Sequence, residues 1–128
     1  MNYYYSKVMD LSFDEAIVRV TDELKKEGFG VLTEIDVKAT LKNKLDVDFR
    51  NYRILGACNP PFAYQALLAE PQIGLMLPCN VVVQESDNGQ IIISAIDPLA
   101  SMQAVENEAL GEVAEQVRAK LQKVIESV

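Results

Sequence analysis

The chain has 128 residues, of which 49% are hydrophobic, which is enough apolar material for one globular domain with its own core. Its net charge of −7 repels a phosphate backbone, so a nucleic-acid partner is not expected. The absence of histidine excludes an imidazole base, Ser-His and Cys-His catalytic pairs, and every zinc site that contains histidine.

The sequence contains no sign of a targeting or membrane-spanning segment. Its first residues have neither the basic nor the apolar region of a secretory signal. The longest apolar run, residues 73–77, is far shorter than the roughly 20 residues that cross a bilayer. We therefore expect a soluble, cytoplasmic protein without a membrane partner, in which both cysteines are reduced.

The first part of the chain predicts a strand and an amphipathic helix. Residues 2–9 alternate over a β-favouring run, which indicates the strand. Ser12 and Glu15 have the spacing of a capping box, in which the serine hydroxyl accepts from the amide of Glu15 and the carboxylate reaches back to the amide of Ser12. Gly28 can end this helix because glycine adopts the left-handed conformation without strain.

Two more strands and a short helix are predicted for the next segment. Residues 29–37 alternate as a second strand, and residues 37–45 carry apolar side chains four apart, which indicates a short helix. Tyr52–Cys58 is the third predicted strand. Gly56 lies inside it and marks a bulge or a close approach of another part of the chain.

A third helix and a fourth strand follow. Asn59 suits the N-cap of the helix and Pro60 its first position, where the missing amide hydrogen is not needed. Pro71 ends this helix, and residues 79–86 are expected to form the strand. Alternation then divides the strand into two faces, with Asn80, Val82 and Gln84 on one and Cys79, Val81 and Val83 on the other.

The last part of the chain predicts a hairpin and a long helix. The sequence DNG at residues 87–89 is a strong turn signal, so residues 90–96 return as a fifth strand antiparallel to the fourth. The Asp97-Pro98 pair begins a short helical segment. Residues 107–126 carry a continuous apolar stripe, which is typical of a helix that packs on a sheet.

These elements predict a single α+β domain over residues 1–128, with helices packed on one face of a single antiparallel-rich sheet. Two segments also resemble a known family, YRILGACNP at residues 52–60 and LMLPCNVVV at residues 75–83. With them, essentially the whole chain resembles the bacterial and archaeal family called domain of unknown function three hundred and two. That resemblance implies a fold like the TATA-box-binding protein, strand-helix-four strands-helix, and implies no DNA binding.

Both cysteines lie in these two segments, and each is followed by asparagine. The motif cysteines of the family match Cys58 and Cys79, and its motif asparagines match Asn59 and Asn80. Our first hypothesis is a non-enzymatic binding or regulatory domain for a small ligand, with a pocket around these four residues. No catalytic residue and no cofactor is assigned.

Three other interpretations stay open. The cysteines can carry out redox chemistry or hold a soft metal such as Cu(I), for which thiolates are suitable ligands. Their spacing fits neither a CxxC motif nor a four-cysteine zinc site. A homodimer can form through the edge of the strand that contains residues 3–5, or through the last helix. Finally, the cysteines can be small buried hydrophobic residues, with the prolines and asparagines only capping and turning the backbone.

Overall fold

The order of helices and strands follows the sequence prediction closely in the computed structural model, which describes residues 2–128. All five predicted strands and the helices between them are present. A 3₁₀ helix before the fourth strand is an addition that the sequence pattern did not predict. The elements are β1 (Tyr4–Met9), α1 (Phe13–Lys26), β2 (Gly30–Asp36), α2 (Val37–Leu45), β3 (Tyr52–Cys58), α3 (Pro60–Ala69), the 3₁₀ helix (Pro71–Met76), β4 (Cys79–Glu85), β5 (Ile91–Ile96), α4 (Pro98–Ser101) and α5 (Glu108–Ser127).

The ends of α1 show why local sequence predicts this helix well. The hydroxyl of Ser12 accepts from the backbone N–H of Glu15 at 3.2 Å, as the capping box requires. The carboxylate of Glu15 accepts from the same hydroxyl at 3.0 Å, and this replaces the predicted bond to the backbone amide of Ser12. At the other end Gly28 has a φ of 86°, a conformation that favours glycine.

The strands form one antiparallel sheet in the order β1-β5-β4-β3-β2. The α+β class is therefore confirmed, and the main elements follow the strand-helix-four strands-helix order, with the shorter helices inserted between strands. Helices α1 and α5 pack on the same face of the sheet. The buried residues between these layers include Val20, Leu24, Val81, Ile93 and Leu121.

The alternation of β4 separates its two faces as predicted. Cys79, Val81 and Val83 point toward the helices and are buried. The opposite face of the sheet remains partly exposed at its edges, since Tyr4, Val8 and Ile35 are exposed. Among the helices of residues 2–128, none has both the length and the apolar character that a bilayer span requires.

Gly56 marks a point where three parts of the chain meet. It lies in β3 opposite Thr33 of β2, and the ring of Pro78 packs on the same side of the strand. A Cβ at this position would lie 2.7 Å from Cγ of Pro78 and would also overlap Oγ1 of Thr33. Glycine is required because its missing side chain is what lets Pro78 approach β3, immediately before β4 begins.

We predict that Gly56→Ala lowers the free energy of unfolding by about 1–3 kcal/mol, because the added methyl overpacks this contact. Gly30→Ala in the neighbouring strand is the matched control, since no atom lies within 4 Å of a Cβ at that position. Urea denaturation of both variants measures the difference. Equal stabilities of the two variants would contradict the role assigned to Gly56.

Candidate functional site

A cavity of about 300 Å³ lies where β3 ends and β4 begins. It is enclosed by α3 on one side and by α5 on the other, and none of its lining side chains is charged. The residues that line it from the sheet and its ends are Phe29, Leu32, Ala57, Cys58, Asn59, Pro78 and Cys79. Those from the helices and connections are Phe62, Ala63, Ala66, Leu67, Gly74, Leu77, Met102, Val113 and Val117.

Small side chains explain why this part of the core is not filled. Ala57 pairs with Cys79 across β3 and β4, so the cavity floor carries one methyl and one thiol. Ala63 and Ala66 face it from α3. Larger side chains at these positions would close the space, as they do elsewhere in a close-packed protein interior.

Asn59 joins the cavity wall to the end of α1. Its side-chain Nδ2 donates to the backbone carbonyl of Glu27 at 3.1 Å, and the residue is only 8% exposed. Asn59 occupies the N-cap position of α3, as predicted, but its side chain makes no capping hydrogen bond. Gly28 leaves room for this contact, since a Cβ there would lie 3.1 Å from the same nitrogen.

The side chain of Asn59 is one of the polar groups among the residues that line this cavity. Within residues 2–128 the described hydrogen bond of the Asn59 side chain uses Nδ2 and not Oδ1. No fully buried side-chain nitrogen or oxygen in the same residues lacks a partner, so this oxygen is not sealed away from solvent. An amide oxygen accepts hydrogen bonds, and a ligand with one donor group would satisfy it.

The two cysteines lie on the same cavity and are both free. Cys58 is half-buried, whereas Cys79 is buried. Burial, and to a lesser extent the neighbouring Cys58, raise the pKa of the Cys79 thiol to about 11. Cys79 is therefore a neutral thiol at physiological pH. No group of three or more potential metal-ligating side chains occurs within the described part of the chain.

Asn80 does not line this cavity. It follows Cys79 in β4, and successive residues of a strand point to opposite faces. The structure places it, exposed, on the other face of the sheet, beside a shallow depression that Tyr4, Ser6 and Gln84 also line. Of the four predicted site residues, the fold brings three together and separates the fourth.

The sequence analysis missed the cavity residues contributed by α5 and Met102. Val113 and Val117 belong to the apolar stripe of α5, and a stripe of this kind looks the same whether it fills a core or borders a cavity. One signal was present in α3, which carries apolar residues around its whole circumference. Such a helix is expected to be buried, yet Leu67 and Leu68 are exposed.

A second polar cluster was also missed and connects β1 to α5 outside the cavity. The hydroxyl of Tyr5 donates to Oδ2 of Asp97 at 3.3 Å, and Nε of Arg118 donates to the Tyr5 hydroxyl. Nε of Arg118 also lies 3.4 Å from the same carboxylate oxygen. Oδ1 of Asp97 accepts from the backbone N–H of Leu99, which is the predicted cap of α4. The cluster satisfies a buried carboxylate and holds three elements together.

Comparison with known proteins identifies a family and a similar solved structure. The family model described as domain of unknown function DUF302 matches residues 5–128. The chain is also similar to a crystal structure described as an uncharacterized conserved protein DUF302 from Bacillus stearothermophilus. The two are 30% identical, with a TM-score of 0.92, and the match covers 99% of this chain and 98% of that one. No curated protein matches.

We predict that Asn59→Ala lowers the free energy of unfolding by about 1–2 kcal/mol, because the carbonyl of Glu27 loses a largely buried donor. Asn43→Ala on the exposed face of α2 is the control and should cause no loss. Chemical denaturation measures both changes. If Asn59→Ala were as stable as the natural chain, the connection between α1 and α3 would not depend on this hydrogen bond.

We also predict a stability loss in alkali that depends on Cys79. The pKa of its thiol in the folded protein, about 11, lies above the ordinary value of 9.0. The folded state therefore keeps a proton that the unfolded state releases, and its contribution to stability is complete below about pH 9 and is lost as pH rises through 11. Between pH 8 and pH 11 the free energy of unfolding should fall more for the natural chain than for Cys79→Val. Cys79→Val differs from the natural chain only in lacking this thiol, so equal losses would contradict the assignment.

Proposed function

The chain belongs to the family described as domain of unknown function DUF302. We propose that it binds a small, uncharged and largely apolar molecule in the cavity between α3 and α5. The supporting observation is the cavity itself. Its volume of about 300 Å³ is at the lower end of the range for small-molecule sites. Its walls are largely apolar and include a few polar groups, those of Asn59 and the two cysteines, which is the usual composition of such sites.

The absence of charged side chains from the cavity walls supports an uncharged ligand. An ion in this cavity would lose its hydration without meeting an opposite charge, and that transfer is strongly unfavourable. The side-chain oxygen of Asn59 would accept one hydrogen bond and orient the molecule. A hydroxyl, amide or amine hydrogen at one end of an apolar body fits this combination.

The surface around the cavity supports entry from the side of α3 and the 3₁₀ helix. Between residues 54 and 84 the chain contains one charged residue, Glu70. Large apolar side chains on these two elements are exposed, including Leu68 at 68% and Leu75 at 82%. Contiguous exposed apolar surface commonly marks a place where an apolar ligand or partner binds.

The thiol alternative has support from one observation, which is that Cys58 and Cys79 line the same cavity. Metal binding and thiol-disulfide exchange both use the thiolate form. Burial opposes that form at Cys79 by raising its pKa to about 11. We therefore favour the ligand-binding function and assign the Cys79 thiol to the wall of the cavity.

Titration with the neutral dye Nile red tests the proposal. We expect saturable binding to the purified protein, and at least about tenfold weaker binding to Ala63→Leu, because the larger side chain occupies the cavity. Ala39→Leu on α2 is the matched control, since it makes the same change on an exposed helix position outside the cavity. Circular dichroism confirms that both variants fold. Absence of saturable binding, or equal binding by both variants, would contradict the proposal.

A further inference from the structure

The outer edge of β1 offers an unpaired row of backbone groups. The strand lies at the end of the sheet and pairs only with β5. The backbone N–H of Asp97 donates to the carbonyl of Tyr3 at 2.8 Å. Alternate residues of an antiparallel strand bond to opposite sides. It follows that Tyr4, Ser6 and Val8 direct their N–H and C=O groups away from β5, toward solvent.

This edge lacks the features that normally keep sheet edges apart. Proteins protect edge strands with proline, bulges or exposed charges, and β1 has neither proline nor a register shift against β5. Its one charged residue, Lys7, turns toward the helices, where Nζ donates to the backbone carbonyl of Val128 at 2.7 Å. Within β1 itself, only uncharged side chains therefore accompany the outward backbone groups.

The opposite edge of the sheet is protected. In β2 the register shifts between Val31 and Thr33, which indicates a bulge. The strand also carries Glu34 and Asp36, both paired with Arg53 of β3. Two copies that met along β2 would bring carboxylates of a chain with net charge −7 close together.

We propose that a second copy of this chain pairs with β1, in antiparallel orientation about a two-fold axis at Ser6. In this register Tyr4 of each copy lies opposite Val8 of the other copy, so the interface contains two equivalent Tyr4–Val8 pairs. Pairs of an aromatic and a β-branched residue are favourable across strands. A strand that complements itself in this way gives a closed symmetric dimer, the commonest assembly of soluble proteins.

Pairing along β1 joins the exposed faces of the two sheets into one surface of ten strands. The depression lined by Tyr3, Tyr4, Ser6 and Asn80 lies on this face beside the edge. The two-fold axis places the two depressions next to each other. Asn80, which the fold separates from the cavity, then faces a groove shared by both copies.

Light scattering across a concentration series tests the dimer, with an expected mass of twice 14.2 kDa. Ser6→Pro should give a monomer, because proline removes an outward N–H and leaves the bonds between β1 and β5 intact. Ser6→Thr keeps the amide and should remain dimeric. Val8→Lys should weaken association at least about tenfold, whereas Val18→Lys, the same change at a comparably exposed valine of α1, should not.

Amide hydrogen exchange tests the pairing residue by residue. Unfolding of β1 would expose all of its amides, whereas pairing protects alternate ones. The amides of Tyr4, Ser6 and Val8 should become protected as protein concentration rises, while those of Tyr5 and Lys7 are protected throughout. A monomer at all concentrations up to about 1 mM, near the weak end of ordinary affinities, would overturn the proposal. A dimer that Ser6→Pro and Val8→Lys leave unchanged would overturn it equally. Neither result bears on the cavity between α3 and α5.

Discussion

The contact between Pro78 and Gly56 determines how the end of β3 and the start of β4 fit together. Because Gly56 has no side chain, the proline ring packs directly on β3, and β4 begins at the next residue. Cys79 is thereby placed opposite Ala57. The floor of the cavity depends on this alignment, since a shift of one residue in β4 would turn Cys79 to the other face of the sheet.

A second contact holds the opposite wall in place. The side-chain amide of Asn59 reaches the end of α1 rather than its own helix, so the start of α3 is positioned by an element more distant in sequence. Gly28 turns the chain there and also leaves space for the amide. The two glycines have different roles, because Gly56 permits close packing and Gly28 permits both a turn and a hydrogen bond.

The two faces of the sheet suit different kinds of interaction. The helix-covered face ends in an apolar cavity that is partly open to solvent. The other face is partly exposed and continues to an edge strand whose outward residues are uncharged. Cys79 and Asn80 are adjacent in sequence and belong to these two different surfaces. A paired motif in the sequence therefore need not form one site in the fold.

The sequence alone determined the elements whose signals are local. The N-cap at Ser12, the DNG turn, the alternation of β4 and the stripe of α5 each depend on neighbouring residues, and each was confirmed. Tertiary structure decided what depends on distant residues. It paired Asn59 with Glu27 and left a cavity among side chains that look like ordinary core. It also raised the pKa of Cys79, since burial is a property of the folded chain.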